Sequence, residues 1–315
     1  MKKYQFYFIL IILLLAGFPQ KSHAQENNCL YRGIKVDSNN FPGLIKTLDS
    51  LVLQTPNSEL LKLIDCLILV DSTNPKLYKY KANVLAMLNG RDSSHIPFLR
   101  RCIDMGYDVS TSYYNIAAFY MNYQDEKMAE LSSATVSLST QDRVKLLTLA
   151  EDNMWHAVEP NDNIKWDALV AIGDIQNIKS ELLGKSSPKI SRKMGSLEII
   201  THIRDCGEFG GHFEQIQVSK MGNKFIATFF ADSIYCMNEL ARNSPNAKYN
   251  GIRKTLTKRR LNKFLNDFET YEEDKYLLSN APKDISVIQG KKVISKHIIG
   301  PWPYYLNFRK KLFGF

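Results

Sequence analysis

The stretch Asp205-Cys206-Gly207-Glu208-Phe209-Gly210-Gly211-His212 gathers a thiol, two carboxylates, an imidazole and three glycines within eight residues. Cysteine attacks as thiolate, and a neighbouring histidine can hold it in that form. Glycines let backbone N–H groups point at a developing oxyanion. Cys206 with His212 and Asp205 or Glu208 is therefore the candidate for thiol catalysis. Metal binding is the other chemical option, but the stretch lacks the paired ligand spacing of structural zinc sites. No metal and no other cofactor is expected. Against both stands the ordinary use of glycine in strand connections, at bulges and positive φ. That structural reading is preferred, and a thiol- or metal-dependent enzyme is kept as the alternative.

The five cysteines are an odd number, so internal pairing is incomplete at best. Cys206 and Cys236 are the only pair in the C-terminal part and are the candidate disulfide. Cys66 and Cys102 sit in apolar helical patterns and are expected as buried small hydrophobes, which leaves Cys29 over.

A second cluster is basic. Lys254, Lys258, Arg259 and Arg260 precede Glu269, Glu272, Glu273 and Asp274. A helix whose first turns held the cations and whose end held the acids would oppose its own dipole. A helix beginning near Ser244 places the cations mid-helix without that cost, and this is the expected register. The alternative is a basic patch that meets an anionic partner. The tail Pro301–Phe315 mixes aromatic and basic residues. It is expected to dock its rings on its own domain; a membrane-surface or glycan contact is the alternative.

The elements that must position these groups begin with an address. Lys2 and Lys3, the apolar run Tyr7–Phe18 and Ser22-His23-Ala24 read as a signal peptide cleaved after Ala24. The run is too short for a bilayer core, which needs roughly 20 residues, so no transmembrane helix is expected in the mature chain. Glu26-Asn27-Asn28 before Cys29 does not suit a lipid anchor. Export to the periplasm or cell surface follows, and it argues against nucleic acid as a partner.

The chain of 315 residues carries a formal charge of +9. Gln25–Gly184 holds 15 basic and 20 acidic residues, whereas Lys185–Phe315 holds 23 and 12. The sign reverses at Lys185-Ser186-Ser187-Pro188-Lys189, a polar Pro-containing stretch. This divides the sequence into a signal peptide (1–24), a helical domain (25–184), a linker (185–195) and an α+β domain (196–315).

From Phe41 to Leu183, apolar residues recur at three and four, as in Leu60, Leu61, Ile64, Leu67 and Ile68. Breakers such as Thr55-Pro56-Asn57, Ser72-Thr73-Asn74-Pro75 and Glu159-Pro160-Asn161-Asp162 supply caps. A shift of 35 residues superposes Tyr78 on Tyr113, Ala82 on Ala117, Val84 on Phe119, Leu85 on Tyr120 and Cys102 on Ser137. Tyr113-Tyr114-Asn115-Ile116-Ala117-Ala118-Phe119-Tyr120 resembles the first helix of a tetratricopeptide repeat. Leu69-Val70-Asp71-Ser72-Thr73-Asn74-Pro75 is similar to its closing turn. The glycine of that first helix is Lys81 and Ile116 here, and the carboxylate-clamp positions are not recognisable. The resemblance implies stacked helical hairpins with a concave groove for a protein or peptide.

After Pro188 the period becomes two. Leu197–Ile203, His212–Lys220 and Phe225–Asp232 read as antiparallel strands, the last two joined at Gly222-Asn223. Leu256, Leu261, Phe264, Leu265, Phe268 and Tyr271 mark a helix covering the sheet. Asp284–Gln289 and Lys292–Ile299 read as a second hairpin around Gly290. The expected whole is a multidomain, exported, non-enzymatic binding or scaffolding protein of a bacterial envelope. An all-α helical-hairpin array would hold a peptide or protein partner, and a small α+β domain a possible anionic envelope component. A surface module held by its basic aromatic tail is a third reading.

Overall fold

The computed structural model describes residues 29–51, 56–89, 92–125, 138–159, 164–191, 195–203, 210–236, 242–271, 282–299 and 303–315. The signal peptide, residues 192–194 of the linker, Ser137, Asp205, Cys206, Glu208, Glu272, Glu273 and Asp274 lie outside them. The described residues form nine α-helices and a six-strand antiparallel sheet. Two compact units divide between His95 and Ile96.

In the first unit, β1 (Leu30–Tyr31) and β2 (Ile34–Lys35) pair through Arg32 and Gly33, both at positive φ, the geometry of a tight hairpin turn. Helices α1 (Phe41–Leu51), α2 (Ser58–Val70) and α3 (Pro75–Leu88) follow. Asn57 and Asn74 cap the last two with their side-chain oxygens, and Pro75 stands at the first turn, as the sequence leads one to expect. Leu48, Leu63, Ile64, Leu67, Leu77 and Val84 form the core. Cys66 is buried, but it is not a spectator hydrophobe and Cys29 is not left over: the two form a disulfide. The hairpin supplies the reason, since it packs on α2 and brings Cys29 to Cys66 across 37 residues of chain. Sequence spacing alone does not reveal such a pairing.

The second unit begins with α4 (Ile96–Asp104), α5 (Val109–Tyr123), α6 (Thr140–Val158) and α7 (Ile164–Leu182), each packed on the next. The sheet contains β3 (Leu197–Ile203), β4 (Gly210–Met221), β5 (Lys224–Ala231), β8 (Arg253–Leu256), β9 (Pro282–Gln289) and β10 (Lys292–Ile299) in the order β10-β9-β3-β4-β5-β8. Short β6 (Ser233–Cys236) pairs with the start of β4 and with β7 (Arg242–Asn243). Gly222 and Gly290 turn the two hairpins at positive φ, where a side chain would be strained.

Alternation gives the sheet two apolar faces. Ile199, Ile216, Val218, Phe229, Ile285 and Val287 face α8 (Lys258–Glu269) and α9 (Pro303–Phe313). Ile200, Phe213, Ile288 and Val293 pack with α7 instead. Gly173 makes that second contact close: a Cβ there would stand 3.0 Å from Ser295 Oγ. Gln176 fastens it, donating to Lys291 O (2.7 Å) and accepting from Val293 N–H (3.1 Å).

The charge boundary and the packing boundary therefore fall in different places. The charge reverses at Lys185–Lys189, yet α5, α6 and α7 share their core with the sheet. Ile190, from the stretch read as a linker, is buried in the α8/α9 core, and Ser191 exchanges two backbone hydrogen bonds with the Gln289 amide. Surface charge reports what faces water, not what packs together.

The register expected for the basic helix is also corrected. The helix begins at Lys258, not near Ser244, and Thr257 caps it by accepting from Arg260 N–H. Residues 242–256 instead hold β7, a 3₁₀ turn at Ala247–Tyr249 and β8. Asn250 bonds Ala231 with both ends of its amide, and Gly251 at positive φ breaks the helical path. The tail docks as expected: Tyr305, Phe308, Leu312 and Phe313 are buried in the core.

Candidate functional site

His212, the base proposed for the thiol site, is buried with its Nε2 3.5 Å from Glu214 Oε1. Residues 212, 214, 216 and 218 share the face turned to α8 and α9, because side chains alternate along β4. Glu214 also accepts from the Tyr305 hydroxyl (2.8 Å), from the Asn246 amide (2.7 Å) and from Arg309. Burial alone would raise its pKa, but the bond to His212, the charge and bond of Arg309 and the Tyr305 bond outweigh it and bring it down to about 2. Burial, reinforced by Glu214, raises the Tyr305 hydroxyl well above its ordinary value. The cluster is a closed clamp that fastens α9 to β4. Its carboxylate oxygens are already engaged by these partners.

The rest of the proposed catalytic set, Asp205, Cys206 and Glu208, lies outside the described residues. Cys236 lies in β6, whose backbone pairs with Gly210 and Gly211. Lys254 is exposed on edge strand β8, and Lys258, Arg259 and Arg260 are exposed on the first turn of α8. Among the described residues, no group of three His, Cys, Asp or Glu side chains is placed to hold a metal.

On the other face of the sheet, the described residues enclose two cavities that share Trp166. One, of about 560 Å³, runs between α5 and α7. Tyr114, Ala118 and Met121 line it at helical spacing from α5. Trp166, Asp167, Val170 and Asp174 do so from α7, with Met154 and His202 behind. The walls mix apolar side chains with the polar Asn122 and His202, and the two carboxylates are exposed at the rim. Burial and the neighbouring Asp167 charge raise the Tyr114 hydroxyl above its ordinary pKa.

The second cavity, of about 430 Å³, lies against β4 and β5. Gln215 stands opposite Phe230 in the register. One step on, Asp232 N–H donates to Phe213 O (2.9 Å). Phe213, Gln215, Phe230 and Asp232 thus form a chequerboard of rings and polar groups on one face. Trp166, Leu169 and Lys165 of α7 wall one side, and Ser233, Asn243 and Asn250 the other. Partial burial raises the Asp232 pKa, opposed by the charges of Lys165 and His212. His202 stacks on Phe213 at 4.6 Å, and Trp166 lies 5.8 Å from Phe213, so an aromatic cluster separates the cavities.

Sequence reasoning missed Lys165, Trp166, Phe213 and Asp232 as a group. The polar alternation of Gln215 and Gln217 was visible, but it reads as a solvent face. That a helix would cover half of this face and leave the remainder as a pocket has no local signature. No helix among the described residues is long and apolar enough to cross a membrane. Neither a family model nor a curated protein nor a solved structure matches the chain.

Proposed function

We propose that this chain is an exported, non-enzymatic binding protein whose α5–α7 groove holds a segment of a peptide or protein partner. The observation that carries the reading is the cavity between those helices, where Tyr114, Ala118, Met121 and Val170 form an apolar strip with Asp167 and Asp174 at its rim. The occupant it suits places an apolar side chain against Tyr114, Met121 and Val170 and a Lys or Arg beside the carboxylates. Recognition sites commonly combine an apolar body with a few placed polar groups in this way. The tetratricopeptide resemblance supports the same surface, because Ala82 and Ala117, matched across the 35-residue shift, are both buried as close-packed hairpins require. The disulfide between Cys29 and Cys66 supports export, since such bonds persist in oxidising compartments.

Fluorescein-labelled nonapeptides with a central Leu flanked by Arg, or by Glu, test the reading by anisotropy. The Arg set should bind more tightly, weaken with salt and weaken again in an Asp167→Asn, Asp174→Asn double variant. Val170→Glu should abolish binding while the melting temperature holds. Equal binding of both sets, preference for the Glu set, or no binding of either overturns the proposal.

A further inference from the structure

We propose that the cavity on β4 and β5 is a second, independent ligand site, and that it takes a neutral saccharide. It differs from the groove in what surrounds it. Phe213 and Phe230 present two half-buried rings from the sheet, set diagonally with Gln215 and Asp232 between them. A pyranose offers the complement, with apolar C–H faces bounded by hydroxyls that both donate and accept. Rings take the faces, and planar amides and carboxylates take the hydroxyls.

Charge selects the neutral class. The cavity holds one cation, Lys165, and one anion, Asp232, and the charge of Lys165 acts on the Asp232 carboxyl. An anionic sugar would meet Asp232 and a cationic ligand Lys165, whereas a neutral polyol gains bonds from both without repulsion. Ser233 and Asn243, facing each other across β6 and β7, add further polar groups at the rim. The frame is rigid: Asn250 pins the end of β5 by its two bonds to Ala231, and Gln215 is oriented by donating to Glu198 at 2.7 Å. A volume of about 430 Å³ lies within the range of small-ligand pockets.

Biotinylated protein displayed on tetrameric streptavidin, where avidity raises weak affinities, would be read against an array of neutral and anionic glycans. One hit and the free amino acids phenylalanine and lysine would then be measured by calorimetry. Neutral glycans should bind. Asp232→Ala should weaken the hit at least tenfold, the effect of removing a hydrogen bond to a charged group, and Asp232→Asn should recover part of the loss. Phe230→Ala should weaken binding comparably, with melting temperatures confirming that each variant is folded. An empty array, hits among anionic glycans alone, binding of the amino acids instead, or hits unmoved by Asp232→Ala and Phe230→Ala would each overturn the proposal. Peptide affinity in the α5–α7 groove is read separately, so either site can fail while the other stands.

Discussion

Neighbouring residues of β5 meet opposite fates. Phe229 is fully buried under α8 and α9, with Phe313 and Phe315 at 5.6 and 5.0 Å. Phe230 points the other way, into a cavity that α7 only partly covers. One face of the sheet is therefore closed by rings delivered from helices, and the other keeps its rings exposed to a pocket. The difference comes from the cover. Helices α8 and α9 bring Phe264, Phe268, Tyr305, Phe308 and Phe313 to the first face. Helix α7 approaches the second face through Gly173 and Gln176, close to β10, and leaves the β4–β5 end open. Buried aromatic packing is concentrated on the closed face, and the cavity lies on the open one.

The sharpest test is to truncate each ring. Phe229→Ala should cost about 4 kcal/mol, as fully buried aromatics do. Phe230→Ala should cost less, about 2 kcal/mol, because that ring is only partly covered. Urea denaturation of the two variants reads the contrast, and equal losses would abolish the distinction between the faces.

Next in size is the clamp. Glu214→Ala leaves Arg309 and Tyr305 without their buried partner and should cost about 3 kcal/mol. The same carboxylate sets a pH dependence. Its folded pKa of about 2 lies below the ordinary glutamate value of 4.5, so its contribution is complete above about pH 4.5 and is lost as pH falls towards 2. Unfolding midpoints at pH 6, 4 and 3 should therefore fall more steeply for the native chain than for Glu214→Gln. Parallel curves would mean that the carboxylate is not held as its four partners indicate.

Gly173→Val tests the open face where it does touch. The added side chain meets both the side chain and the backbone of Ser295, and overpacking of this kind costs about 2 kcal/mol. Such a loss would also show that α7 and the sheet unfold together, despite the reversal of charge between them. Two independently melting fragments on either side of Lys185 would instead restore the boundary drawn from charge.

What was legible in the sequence was local. Asn57, Asn74-Pro75, Gly222-Asn223 and Gly290 each act within a few residues, and each does in the fold what its chemistry requires. The period of two in β4 and β5 correctly gave two faces. The missed features depend on long-range contacts. The Cys29–Cys66 bond needs the β1–β2 hairpin to land on α2, and the cavities need α7 to cross the sheet at one place and not another. Glu214 reads as an ordinary polar residue on an alternating strand until Arg309, 95 residues away, arrives beside it.

The smallest effect concerns the cover of the closed face. Helix α8 buries Leu261, Phe264, Leu265 and Phe268 but exposes Lys258, Arg259 and Arg260 on its first turn, where the unpaired N–H groups already make the helix end positive. Packing of the four apolar residues outweighs that repulsion, which is why the helix begins at Lys258 despite the sequence-level argument against it. Arg259→Glu converts one unfavourable charge into a favourable one and touches no buried group. It should stabilise the chain by about 0.5 kcal/mol at low ionic strength. The gain should shrink in 1 M salt, where the screening length is about 3 Å. Thermal melts at the two salt concentrations measure both effects. A loss of stability on substitution would mean that Arg259 holds a partner whose attraction exceeds the dipole's repulsion, and the basic first turn would then be a built feature of the closed face instead of a tolerated one.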